Sequence, residues 1–164
     1  MSFLILAPGL ASAVAVSAFV LLAAEDVEHR RIPDRFSAAI AATGVLALPA
    51  LPFSEALWSL ALGALAFAIG LWAFARGLVG GGDVKLLPGA MLWAGPSLLA
   101  LFSVAMALAS LAVAFAILAR RALCRRRDVE VGALHMSLPL GLPIAIAGIL
   151  IILHRVALLP IGAL

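Results

Sequence analysis

Between Lys85 and Arg120 run 34 residues without a charge, and no other feature restricts the fold of this chain so severely. A bilayer core about 30 Å thick is crossed by roughly 20 apolar residues in a helix, so this run is too long for one crossing. Gly95-Pro96 interrupts it with a pair that breaks helices and marks turns. The sequence therefore predicts two spans here, over 86–94 and 97–119. Four further apolar runs cover 3–24, 36–53, 56–75 and 138–159. None alternates as a membrane barrel strand would, and lipid admits only structures whose backbone polar groups are satisfied internally. The expected fold is all-α: a polytopic membrane protein with six transmembrane helices in a single domain, 1–164. Composition agrees, with 66% hydrophobic and 12% charged residues and a mean hydropathy of +1.25, values outside the soluble range. The first run lacks the basic flank of a signal peptide and is read as the first span.

Charge tests the split at Gly95. With six crossings, Arg30, Arg31, Arg35, Arg76, Lys85, Arg120, Arg121, Arg125, Arg126 and Arg127 share one side, and only Arg155 lies near the other. If the segment before Gly95 were a re-entrant loop, the basic residues would divide five against five. Basic loops stay in the cytoplasm, so six spans with both termini outside is the expected topology, in a bacterial cytoplasmic (inner) membrane. The same clustering makes the pI of about 10.5 a topology signal, and nucleic acid is not an expected partner. The lipid bilayer is. Arg120 to Arg127 would meet anionic headgroups, while His154 and Arg155 mark the outer boundary. Small residues at 64–68 and 141–145 suit close helix packing.

One cysteine, Cys124, excludes disulfides within the chain and thiolate zinc sites. There is no HExxH motif and no GxSxG elbow, and His29, His135 and His154 are scattered. No metal or other cofactor is expected. What remains is acidic. The loop after the first span, 24–35, carries Glu25, Asp26, Glu28 and Asp34, four of the eight acids in the chain, and Gly80-Gly81-Gly82-Asp83-Val84-Lys85 carries another. Three consecutive glycines remove the Cβ atoms that limit backbone approach and permit positive φ, so this turn suits a peptide passing close by. An acid at the edge of a membrane segment is a functional-site hypothesis that requires a partner.

In the six-span topology Asp26, closing the first helix, and Asp83, opening the fourth, lie at the same depth on the same side. Two facing carboxylates do not both ionise cheaply and share a proton, one acting as base and the other as acid. This is the chemistry of water-driven amide hydrolysis. The helix dipole assigns the ionised, water-activating role to Asp83 and the proton-donating role to Asp26. Against this stands a simpler reading, in which a glycine-rich turn ending in Asp is a loop with a helix N-cap and a juxtamembrane acid is a solvated counter-charge. Lys85 would hold the Asp83 carboxylate or the substrate backbone, or else anchor the span by snorkelling. The alternative function is a non-enzymatic membrane scaffold or small transporter of a pilus or secretion system, with the two acids serving packing or ion passage.

Gly80-Gly81-Gly82-Asp83 fits the GxGD signature of membrane aspartyl proteases, and Val84-Lys85-Leu86 extends it to GxGDxKL. Asp26 followed by Arg30-Arg31-Ile32-Pro33 resembles the first motif of the type IV prepilin peptidases, and Pro139-Leu140-Gly141-Leu142-Pro143 resembles that family's proline-glycine segment. The resemblance covers nearly the whole chain. It implies an aspartic endopeptidase that removes the short basic leader of type IV prepilins or pilin-like proteins at the cytoplasmic face, with Asp26 and Asp83 as catalytic residues. Gly80, Gly81, Gly82, Lys85, Pro33 and Glu28 would shape the site or bind substrate, and Glu25, Glu28 and Asp34 would attract the leader. Asp34 stands where asparagine is common in the family. The chain lacks the cysteine-rich cytoplasmic domain of the longer members, so it looks like the short form of Flp/Tad-type pili, and N-methylation is not expected. Presenilin and signal-peptide-peptidase proteins share GxGD but pair it with a tyrosine-aspartate motif, and this chain has no tyrosine.

Overall fold

A helix that faces lipid on one side and protein on the other gains nothing by hiding its large apolar residues, and this chain turns them outward. In the computed structural model, which describes residues 2–29, 32–125 and 140–158 (side chains for 9–29, 32–119 and 140–157), Trp58, Phe67, Trp72, Phe74, Phe115 and many leucines are exposed. The core instead contains Ala11, Ala15 and Ala18 with Phe19 and Leu22, Leu86 with Ala90 and Trp93, and Ile144 with Ala145, Ala147, Ile151 and Ile152. Small side chains let helix backbones approach where lipid supplies no hydrophobic drive for association. Among the described residues every regular element is helical.

The helices are α1, Ser2–His29; α2, Asp34–Ala47, continued by a 3-10 turn at Leu48–Ala50; and α3, Phe53–Ala75. A helical stretch, Gly81–Arg125, is then broken at Gly95, whose φ of 57° and ψ of −173° are not helical. We number its parts α4, 81–94, and α5, 96–125. The last helix, α6, is Gly141–Leu158. The break predicted at Gly95-Pro96 is therefore present, and it requires glycine because a side chain at that φ is strained. Three segments are long and apolar enough to cross a membrane, Gly9–His29, Phe53–Ala75 and Gly81–Ala119, and Gly141–Ala157 is a shorter apolar helix.

The element bounds differ from the apolar runs. The run at 36–53 yields a helix of only 14 residues, about 21 Å at 1.5 Å per residue. Pro49 and Pro52 end it early, since neither supplies an amide to continue the ladder. By contrast α4 begins before its apolar run, at Gly81, because hydropathy does not register a glycine pair that is free to enter the first turn.

Packing contacts give the chain directions. Asp26 of α1 meets Leu142 of α6, and Phe19 meets Gly148, so these two helices are antiparallel. Asp34 and Lys85 join the starts of α2 and α4, while Trp93 Nε1 donates to the Ile40 carbonyl farther along both helices at 3.3 Å. These two run parallel. Gly70 of α3 lies against Val84 and Gly63 against Leu92, so α3 opposes α4. Thus α1 and α3 run toward one end of the bundle, and α2, α4 and α6 run away from it. Phe102, two turns past the break, is buried in the shared core.

The far end is closed by polar contacts. Arg155 Nη2 donates to Glu55 Oε1 at 3.1 Å and to the Ala94 carbonyl at 3.3 Å, and Ser97 Oγ donates to the same Glu55 oxygen at 2.6 Å. Arg155 is thus more than a boundary marker: it ties α6 to α3 and to the turn at Gly95. Arg30, Arg31, Arg126, Arg127, His135 and Pro139, and the side chains of Arg120, Arg121, Cys124 and Arg125, lie outside the described residues.

Candidate active site

Asp26 occupies the last full turn of α1 and is 4% exposed. Its Oδ2 accepts a hydrogen bond from the backbone amide of Leu142 at 3.0 Å, at the start of α6. Asp83 is the third residue of α4 and half-buried. Its carboxylate accepts from the Gly80 amide and faces Asp26 closely enough for the two charges to repel. The side-chain-to-amide bond from the third helical residue back to the cap is one half of a capping box. The glycine turn does open a helix, as the simpler reading expected, but Asp83 is its third residue and not its cap. This does not compete with the other reading, because the same turn presents Asp83 to Asp26.

Ile32 closes the space between the two acids' helices. A Cβ placed on Gly82 would lie 2.7 Å from Ile32 Cβ, and one on Gly141 would lie 3.0 Å from Ile32 Cδ1 and 2.7 Å from Asp26 Oδ2. The link between α1 and α2 is thereby wedged against the starts of α4 and α6. Pro33 follows at the N-cap of α2 with φ −65° and ψ 133°, an extended geometry that proline favours and that turns the chain into α2.

The glycines behave differently from the expectation. Positive φ occurs at Gly77 and Gly95 and not at 80–82; Gly81 and Gly82 are helical, and only Gly82 is under tight approach, by Ile32. Gly81 packs on the Phe74 ring, and Gly80 is exposed. The glycines thus admit a neighbouring part of the same chain, with no tight turn at their centre.

Lys85 does not reach Asp83. Its Nζ donates to both carboxylate oxygens of Asp34 at 2.8 Å, because successive helical residues diverge by about 100° and Lys85 faces α2. Glu25 is engaged as well, by Arg35 at 3.3 Å and His29 at 3.1 Å. Of the three acids expected to attract a basic leader, Asp34 and Glu25 already have cationic neighbours, and Glu28 is exposed on the last turn of α1.

The dipole assignment also changes. It took account only of the helix carrying each acid, whereas the carboxylate of Asp26 meets the positive end of α6. Asp26 stays at the negative end of its own helix, but both carboxylates face a helix N-terminus, and the dipole of the carrying helix alone no longer separates their roles. Leu142 and Gly141 were not singled out from sequence. Gly141 did stand in the proline-glycine segment, but nothing in the spacing of that segment says which acid it meets. Among the described residues no group of three or more His, Cys, Asp or Glu is placed to hold a metal ion.

Searches of curated proteins and of solved structures returned no match. The sequence model described as the type IV leader peptidase family matches residues 13–119, a stretch that contains Asp26, Asp83 and the wedge between them and stops before α6. With most of its length matched and its two candidate acids inside the match, the chain belongs to the type IV leader peptidase family.

Proposed function

We propose that this chain is an aspartic endopeptidase that removes the basic leader from type IV prepilins or pilin-like proteins. The observation that carries the reading is the placement of Asp26 and Asp83, one buried and one half-buried, at one end of the bundle and near enough for their charges to act on each other. Such a pair holds one proton between two carboxylates. The ionised member takes a proton from water as the oxygen attacks the scissile carbonyl, and the protonated member donates to the carbonyl oxygen. As the tetrahedral diol collapses, one of its hydroxyls gives its proton to the ionised acid while the protonated acid gives one to the departing amine nitrogen, and the dyad again holds one. The acids act as a unit, with no fixed division of base and acid.

The topology that serves this chemistry has six spans and both termini outside, with the acids at the cytoplasmic end. Its support is the alternation of helix directions and the gathering of Arg35, Arg76 and Lys85 at the acid end, opposite Arg155. The substrate's apolar helix would enter from the bilayer and present its leader junction at the inner face. The sequence holds one cysteine, Cys124, and no CxxC pair, and this supports reading the substrate as Flp/Tad-type.

Co-expression with a tagged pilin precursor tests the proposal. Asp26→Ala and Asp83→Ala should each abolish conversion to the smaller product, and conversion by either variant would refute the dyad.

A further inference from the structure

We propose that the first turn of α6 is a working part of the catalytic centre: the Leu142 amide fixes the Asp26 carboxylate, and Gly141 is the positioning residue whose missing side chain allows it. The proposal rests on the protease reading and extends it to a helix outside the matched stretch. Asp26 lies in the last full turn of α1, where unpaired carbonyls form the negative end of the helix and disfavour an anion. A buried carboxylate in that position requires a donor from elsewhere. The Leu142 amide supplies one, at 3.0 Å to Oδ2, and as a first-turn N–H it has no partner to give up within its own helix.

The approach is possible only because residue 141 is glycine. A methyl group there would sit 2.7 Å from Asp26 Oδ2, 2.9 Å from Asp26 Cγ and 3.0 Å from Ile32 Cδ1. The carboxylate has nowhere to retreat within its buried surroundings, so an added side chain would swing it away from Asp83 or push the start of α6 outward. Either movement separates the two acids. Gly141 touches no substrate; it acts through Asp26.

A merely structural role would affect stability and not turnover, and the same helix pair supplies the control. Gly148, two turns along α6, faces Phe19 of α1, where a Cβ would lie 2.5 Å from the ring's Cζ. Gly148→Ala thus disturbs the α1–α6 seam at least as severely, remote from the acids. The measurement is kcat and KM for cleavage of a tagged pilin precursor by the purified full chain in proteoliposomes. Gly141→Ala should lower kcat about 100-fold, as expected when a reacting group is displaced by about 1 Å. Leu142→Pro, which deletes the amide and sets the ring Cδ on the nitrogen that faces Asp26 Oδ2 at 3.0 Å, should displace the carboxylate and lower kcat at least as far, by about 100-fold. KM should stay within about threefold in both, since substrate capture is untouched. Gly148→Ala should lower the melting temperature and keep kcat within about threefold.

The inference is overturned if Gly141→Ala and Leu142→Pro both turn over at the parent rate, or if Gly148→Ala loses kcat as heavily as they do. Should Gly141→Ala fail to accumulate, Leu142→Pro decides. Should Gly148→Ala fail, Gly63→Ala, whose Cβ would lie 3.2 Å from Leu92 Cδ2, replaces it as the packing control. Cleavage by Asp26→Ala or Asp83→Ala in the same assay would bring down the protease reading itself; inactive aspartate variants beside a fully active Gly141→Ala and Leu142→Pro would bring down this inference alone.

Discussion

Gly82→Ala adds one methyl group to the glycine turn and should disable the protein for a reason that can be located to an atom. The new Cβ would lie 2.7 Å from Ile32 Cβ and 3.2 Å from Ile32 Cγ1 and Cδ1. Contacts at 3.2 Å with the outer carbons are relieved by rotating the side chain. The contact with Cβ is not, because Cβ is fixed to the backbone. Relief therefore requires the α1–α2 link and the start of α4 to separate by about 1 Å, toward the 3.5–4.0 Å of ordinary carbon contact. Ile32 has little room to yield, since its Cδ1 already stands beside Gly141 on its other side. Overpacking of this kind costs about 1–3 kcal/mol, and a displacement of that size between reacting groups costs about 100-fold in rate.

The assay is conversion of a tagged pilin precursor in membranes, together with thermal unfolding of the purified variant. Second-site changes sharpen it. In the Gly82→Ala background Ile32→Ala should not restore processing, because it keeps the offending Cβ, whereas Ile32→Gly should restore a large part of it. Rescue by Ile32→Ala equal to that by Ile32→Gly, or full activity of Gly82→Ala alone, would refute the argument from close approach.

Lys85→Met should leave processing nearly intact and change stability by less than about 1 kcal/mol, since its bridge to Asp34 is between two exposed groups; a variant as inactive as Asp83→Ala would show that Lys85 serves the chemistry directly. Arg155→Leu should destabilise the fold by about 1–3 kcal/mol in detergent unfolding, because it strips partners from the largely buried Glu55 and from the Ala94 carbonyl beside the Gly95 turn. The double variant Glu55→Gln, Arg155→Leu should recover part of that loss, by removing the charge left unpaired; additive losses would show that the two do not act as a pair.

The gathering of Asp26 and Asp83 at one end was legible because it follows from short-range signals joined by one long-range rule. Asp26 follows the first apolar run, Asp83 precedes the fourth, and counting crossings puts both at one end. That argument needs only the direction of each helix, and direction survives errors of several residues in helix ends. The partner of Lys85 was not legible in the same way. It depends on rotation about the α4 axis, and one residue changes the facing side by about 100°. Gly141 was missed for a related reason: its role is defined by a carboxylate from α1, and no local pattern records that meeting.

Taken by itself, the order of apolar runs, the Gly95-Pro96 break and the placement of charge determined an all-helical architecture and brought two particular acids to one end of it. These are statements about which segments lipid accepts, and the transfer energies behind them are local and additive enough to be read along a chain. Only the tertiary structure decided which face each helix shows its neighbour. That choice made Lys85 a partner of Asp34, set Ile32 between two glycines, and placed the start of α6 against Asp26. It depends on how small side chains interlock across helices remote in sequence, and packing of that kind is a property of pairs of surfaces that no single segment specifies.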